Sequence, residues 1–543
     1  MGAPYIPTKA SEISVTAAGT ISSTSVQAAL QELDGDIQGL GGGGGGGTSS
    51  NWVSIKDYGA ACDGQVIVDG AITAGSNTLS SVKGLFVAGD VGKTIVISEA
   101  GAGGTDLFTT ISAYNSATSI AIYNNALTTV SGASVCWGTD DTSSIQAGII
   151  DVFNRQLGTL CFPNAVTLTT GVLNLQYQNV KLKGMGIGPY IGYYVGYPVQ
   201  RLAPIILITN MTSTFLTISK SAIEDLYFVY PLQRSYASPP PKAYPPTISW
   251  SSYDYTGTRV GGYGMTFRRC TVAGAYDLFA CLNEKGLGSA LISEIWTDTQ
   301  NIVFNMDNIV DVVFFDKIHV NDVFTSIGGS PNNMAPWRMG NVTSWFFKIA
   351  RADNIIISNV FTYMRYGGFW FVTGTGVSPG GGYGQATNVS LDTVAYGIKA
   401  DGMINSAQIG WDIHGLYSYA TISNATVAAG NVSRITINGG AKWGSSGGFT
   451  DNTTNGKGLL VRDVKGWNPR GNAVGTPALP SSGTTLYNTK GVNCRVFISG
   501  GTVTQITIDS IDTLLTSGVF ELYPGENIKL TYSSAPTWQW MGL

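Results

Sequence analysis

Charge is scarce in this chain of 543 residues: Asp, Glu, Lys and Arg together make up 12%, and 30 basic residues face 34 acidic ones for a net charge of −4. A nucleic-acid partner would call for a concentrated basic face, so that class is excluded. No run of about 18 apolar residues occurs, so no segment is expected to insert in a membrane. The first residues, Met1-Gly-Ala-Pro-Tyr-Ile-Pro7, lack the basic and apolar regions of a signal peptide, and export by the general secretory route is not expected. Histidine is almost absent, with 2 residues, and the 6 cysteines (Cys62, Cys136, Cys161, Cys270, Cys281, Cys494) show neither CxxC nor zinc spacing. They are expected to be buried free thiols, and no metal or cofactor is expected. Gly380-Gly-Gly-Tyr-Gly384 lacks the lysine and the strand–helix context of a phosphate loop. The chain's Asp and Asn clusters do not follow the ligand spacing of a calcium loop.

What the chain does have is glycine, 71 residues of it, and a recurring short phrase. The phrase is an apolar residue, two polar or small residues, a second apolar residue and an alternating tail. It reads Ile223-Glu-Asp-Leu226, Phe267-Arg-Arg-Cys270, Ile292-Ser-Glu-Ile295 and Phe315-Asp-Lys-Ile318. It continues as Ile357-Ser-Asn-Val360, Leu391-Asp-Thr-Val394, Ile413-His-Gly-Leu416 and Val461-Arg-Asp-Val464. Several starts lie 22 to 25 residues apart, and the longer intervals read as coils with loops added. A strand-built period of this size predicts an all-β parallel solenoid, whose coils bury their apolar faces only by stacking.

The phrase sorts side chains. With both apolar residues inward, the polar pair turns a corner. The next residue then points outward by strand alternation. That outward column reads Tyr227, Thr271, Trp296, His319, Phe361, Ala395, Tyr417, Lys465. Its rings suit stacking on sugar faces, and a subunit interface would explain them equally well. Between Leu291 and Asp322 stand six carboxylates against Lys317 alone, the densest acidic patch in the chain. Asp298 follows Trp296 on the same face, and Asn321 with Asp322 takes the corresponding place one coil on, beside His319. Coils about 4.8 Å apart can hold two carboxylates at the separations glycosidases use, about 5–5.5 Å for retention or 6.5–9.5 Å for inversion. Asp298 and Asp322 are therefore the leading catalytic candidates. Glu294 and Asp316 complete the acid set, although each also belongs to a corner pair. Trp296, His319, Asn321, Tyr227, Phe361, Trp337 and Arg338 are the candidate substrate contacts, and Trp345, Arg365, Tyr366 and Trp370 are expected in loops that complete a groove.

The flanks differ from the repeat. Residues 1–50 contain one amphipathic helix, with Val26, Leu30, Leu33, Ile37 and Leu40 at helical spacing, and end in the linker Gly41 to Gly47. Residues 51–165 form the solenoid's opening, with an inserted β-subdomain over 65–137 and a capping helix over 142–155. The solenoid itself covers 166–475, and short strands fill 476–543.

The phrase from Thr24 to Asp34 resembles an element found near the ends of bacteriophage tail-fibre and tailspike proteins. Trp52-Val-Ser-Ile-Lys-Asp-Tyr-Gly-Ala-Ala-Cys-Asp-Gly64, Gly138-Thr-Asp-Asp-Thr-Ser-Ser-Ile-Gln-Ala147 and Gly158-Thr-Leu-Cys-Phe-Pro163 resemble, in that order, the opening of the pectate-lyase-like right-handed parallel β-helix family as it occurs in phage tailspikes. Residues 476–543 are similar to a small β-sandwich at the C-terminus of phage tail proteins. The resemblance implies a homotrimer in the virion tail, joined to a baseplate or tail protein through residues 1–50. It further implies a host surface polysaccharide, capsule or O-antigen, as partner and substrate. The acid pairs favour glycoside hydrolysis over lyase chemistry. A non-enzymatic receptor-binding or structural tail protein on the same scaffold is the alternative.

Overall fold

The computed structural model describes residues 51–186, 203–233, 240–282, 286–321, 334–374, 383–401, 410–430, 434–443, 447–467 and 474–543. The N-terminal helix expected within residues 1–50 lies outside these, as does Asp322. The repeat becomes one 22-stranded sheet whose strands pair in parallel, each with the strand one coil further on. The first apolar residue of the phrase builds a single inward stack. Ile223 pairs with Phe267, then come Ile292, Phe315, Ile357, Ala386, Ile413, Ile437 and Val461, all of them buried. The long intervals 223–267 and 315–357 each hold a single coil, because these residues pair directly. Removing a large aliphatic side chain of this kind from water contributes about 1.5–3 kcal/mol.

Register corrects one phrase. Ala386-Thr-Asn-Val389 occupies the stack, while Leu391 and Val394 lie past the corner, Val394 level with Arg365 and Ala420. The third residue of each true phrase turns the chain through left-handed backbone, at Asp225, Arg269, Glu294, Lys317, Asn359, Asn388, Gly415, Gly439 and Asp463. Such a conformation crowds a Cβ, and Asn, Asp and Gly tolerate it best. At Asp225 and Arg269 the charged side chains hold each other across coils. Asp225 accepts from Arg269 Nε at 2.6 Å and Lys183 Nζ at 3.2 Å. Burial alone would raise its carboxyl, but these two cations hold it below the usual range.

The solenoid's open end is closed by the helix Thr142–Asn154, whose Ile145, Ile149 and Val152 are buried. Asp140 Oδ1 accepts from Thr142 N and Oγ1 at 3.1 and 2.6 Å, supplying the N-terminal acceptor. Asp141 instead faces the chain before it, accepting from the Ala61 and Cys62 amides at 2.7 and 2.9 Å. Both acids are thus consumed by backbone. Between Gln65 and Gly138 six strands close a small barrel around Leu79, Ile95, Ile120 and Trp137. The C-terminal segment forms a four-stranded and a three-stranded antiparallel sheet that share a core containing Val496, Ile506, Leu530 and Trp540. All six cysteines are free and buried.

Candidate functional site

Each coil carries two outward faces, separated by a turn such as the one between the strands Ala290–Thr297 and Phe304–Met306. On the first face the expected column exists as register: Tyr227, Thr271, Trp296, His319 and Phe361 pair in sequence. Ser390, not Ala395, follows Phe361, and Ala441 stands between Tyr417 and Lys465. Outward direction is not exposure, however. Tyr227 is 4% and Thr271 0% exposed, so neither presents a face to a ligand. Trp296, His319 and Phe361 are half-buried. His319 meets the Phe361 ring edge-on at 4.8 Å, and burial pulls its pKa down. The far end opens further: Tyr417, Tyr419 and Trp443 are exposed, and a cleft of about 380 Å³ lies among Ser390, Asp392, Thr393, Tyr419 and Trp443.

The acids on this face are tied into the structure. Asp298 is 1% exposed, and its Oδ1 accepts from Gly274 N at 2.7 Å. Asn321, the residue level with it one coil on, donates its amide to Thr297 O at 2.9 Å. Glu294 sits in the left-handed corner column, half-exposed. Asp316 accepts from Ser358 Oγ at 2.6 Å and Asn359 Nδ2 at 2.8 Å, a link between coils. Trp337 is half-buried in a short helix, Met334–Gly340. Its neighbour Arg338 does not reach solvent at all. It donates to Gln300 Oε1 at 2.9 Å and Met364 O at 3.1 Å, and is 0% exposed. Arg365 is likewise fully buried, donating to Asn301 O at 2.7 Å, Ser344 Oγ at 3.3 Å and Thr299 O. These arginines bind backbone and side-chain oxygens of the turn at 298–301. Their charge is spent on fold, which corrects the expectation that Arg338 contacts substrate.

The second face has a different composition. Its register runs Ala280, Asn305, Lys348, Trp370, Lys399, Thr426. Trp345, Tyr366 and Trp370 lie in the strands Trp345–Ile349 and Asp353–Phe371, not in loops. The Trp345 ring lies over Gly367, where a Cβ would run into it, and glycine alone permits that approach. Trp345 stacks on Trp370 with centroids 5.2 Å apart, and Tyr366 packs against Tyr396 at 5.4 Å. Lys348 Nζ stands 5.2 Å from the Trp370 centroid and Lys399 Nζ 5.7 Å from that of Tyr396. Asp401 accepts from Trp370 Nε1 at 3.0 Å and pairs with Lys399 at 2.6 Å. Trp370, Tyr366, Tyr396 and both lysines are half-exposed, so ring faces and polar heads are offered together.

At the lower end of this face is Asp277. Burial pushes its carboxyl from 3.8 up to about 6, against the hydrogen bonds it accepts from Ile302 N at 2.8 Å and Asn301 Nδ2 at 2.9 Å and the positive charges of Lys348 and Arg365. An acid with this pKa is part-protonated near neutrality, as a proton donor must be. Reading by phrase missed it because Asp277 lies outside the repeat, ahead of the strand Phe279–Cys281. Among the described residues no three His, Cys, Asp or Glu side chains gather as metal ligands would. No helix there is long and apolar enough to cross a membrane.

No protein-family model and no curated protein matches the chain. Among solved structures it is similar to the mannuronan C-5 epimerase AlgE4 A-module of Azotobacter vinelandii (12% identity, 60% of this chain and 91% of that one, TM-score 0.32). It is also similar to ORF18 of Geobacillus virus E2 (11%, 93% and 79%, TM-score 0.33). A third is the tailspike gp49, a capsular polysaccharide depolymerase, of the Acinetobacter baumannii bacteriophage Fri1 (9%, 91% and 100%, TM-score 0.27). Superpositions this loose carry no residue across; the parallel β-helix assigned to this chain stands on its own strand register.

Proposed function

We propose that the chain is a bacteriophage tailspike that holds a host surface polysaccharide along the Trp345–Trp370 and Tyr366–Tyr396 face and cleaves it by glycoside hydrolysis. One observation supports the reading: an acid near neutrality, Asp277, stands on the same face as the part-exposed rings of Trp370 and Tyr396, each beside a lysine, with Trp370 backed by the buried Trp345. The apolar faces of sugar rings lie on Trp370 and Tyr396, while Lys348, Lys399 and Asp401 satisfy hydroxyls at their rims. Asp277 gives its proton to the glycosidic oxygen as the bond to the anomeric carbon breaks. A second carboxylate must activate water or attack, and Asp322, the sequence candidate, lies outside the described residues. Asp298, Glu294 and Asp316 are assigned to holding turns and corners. The protein acts as a homotrimer in the virion tail, with residues 1–50 as the attachment to a baseplate or tail protein.

Purified protein spotted on an encapsulated host lawn should give a halo, and Asp277→Asn should abolish it while glycan binding persists. Unchanged halos from that variant would sink the assignment of the acid. A non-enzymatic receptor-binding tail protein is the second reading, favoured by the fact that the charges acting on Asp277 are cations, Lys348 and Arg365. Glycan binding by the wild type without a halo on any permissive host decides for it.

A further inference from the structure

We propose that the cleft where the last coils meet the C-terminal sandwich binds a carboxylate-bearing saccharide, at a site separate from the Trp345–Trp370 face. The cleft, about 340 Å³, gathers Arg434, Lys457 and Arg462 beside Tyr523 and Glu526. Its cations come from two successive coils. Arg434 immediately precedes the strand Ile435–Trp443, Lys457 lies just before the strand Leu459–Arg462, and Arg462 ends it, with Ile435 and Leu459 level in register. Arg434 Nε donates to Lys457 O at 3.3 Å, which fixes the guanidinium across the two coils. The opposite wall is the turn Tyr523–Glu526. There Glu526 Oε2 accepts from Tyr523 N at 2.7 Å, so its carboxylate is engaged by the turn.

Two features point to an anionic ligand. None of the three cations forms an ion pair with a described residue, whereas Lys181, Lys183, Arg268 and Arg269 on the earlier coils all do. Three cations against one carboxylate make this spot positive in a chain whose net charge is −4. Guanidinium forks match carboxylates in two-pronged geometry, and the Tyr523 ring, 51% exposed at the rim, offers a face to the sugar that carries the acid. That the ligand is a saccharide rests on the polysaccharide reading above; that it is an anion rests on the cleft alone.

Calorimetric titration of the full chain with oligogalacturonate tests this, with a neutral maltooligosaccharide and inorganic phosphate as comparison probes. Oligogalacturonate should bind, more weakly as salt is raised. Arg462→Ala and Lys457→Ala should each weaken it roughly tenfold or more, the scale of a lost charged hydrogen bond. Trp370→Ala should leave this binding unchanged. Absence of oligogalacturonate binding, or binding that both cleft variants leave intact, overturns the proposal. Phosphate or the neutral sugar binding as tightly as the uronate overturns the saccharide-acid assignment. Failure of the flank reading shows separately, as host-polysaccharide binding that survives Trp370→Ala.

Discussion

The two outward faces of the solenoid are built on the same coils yet use their polar groups differently. On the first, Asp298 and Gln300 are sealed: Arg338 donates to Gln300, Arg365 to the Thr299 carbonyl, and Gln233 and Tyr244 pack at Gly274, whose amide donates to Asp298. On the second, Lys348, Trp370 and Lys399 stay partly in solvent. Alternation along a strand decides which way a side chain leaves the backbone. It does not decide whether another segment lies on top. The covered turn therefore spends its polar groups on internal hydrogen bonds, whereas the second face leaves Lys348 and Lys399 partly in water beside ring faces.

The contrast is testable, beginning with the covered face. Arg365→Leu leaves the Thr299 and Asn301 carbonyls without their buried donor and should cost about 3 kcal/mol or more in a denaturant titration. Asp298→Ala removes the acceptor of Gly274 N and should cost about 1–3 kcal/mol, whereas halo formation per folded molecule should be unchanged. Loss of activity in a fully stable Asp298 variant would restore it as a catalytic group. On the open face, Gly367→Ala pushes a methyl group into the Trp345 ring. It should cost about 1–3 kcal/mol and weaken the near-ultraviolet signal of the Trp345–Trp370 stack. Trp370→Ala removes the ring stacked on Trp345 and the donor to Asp401; it should cost about 1–2 kcal/mol of stability and roughly 1 kcal/mol of glycan binding.

A further effect is on pH. Asp277 carries a folded-state pKa of about 6 against 3.8 when unfolded. Between those values the folded chain retains a proton that the unfolded chain has released, so stability from this group falls as pH rises from about 4 to 6. Asp277→Asn should flatten that slope in melts across the window. A slope unchanged in the variant would remove the raised acid from the argument.

Much of the scaffold could be read from residue order. The inward stack from Ile223 to Val461 needs only large apolar residues at the start of each phrase, and the helix that seals the end follows from Ile145 and Ile149 at helical spacing. Ala386 escaped notice because a small residue fills that place where Trp411, one coil on, supplies the bulk against Gly384. The site was far less legible. Asp298 and Asp277 are both acids beside aromatic residues in sequence. What separates them is that one carboxylate meets Gly274 N in a sealed turn, while burial raises the pKa of the other, which accepts from Ile302 N and Asn301 Nδ2.

The six acids between Leu291 and Asp322 looked like a patch because the chain is otherwise poor in charge. Composition and period by themselves determined the coil, its inward stack and the polar corner, since these depend on neighbours one strand or one coil away. Burial of Arg338 and Arg365, the opening at Trp370 and the raised acid at Asp277 were decided by tertiary structure alone. Each depends on which distant segment covers a face, and solvent access is a property of the packed molecule that no local pattern encodes.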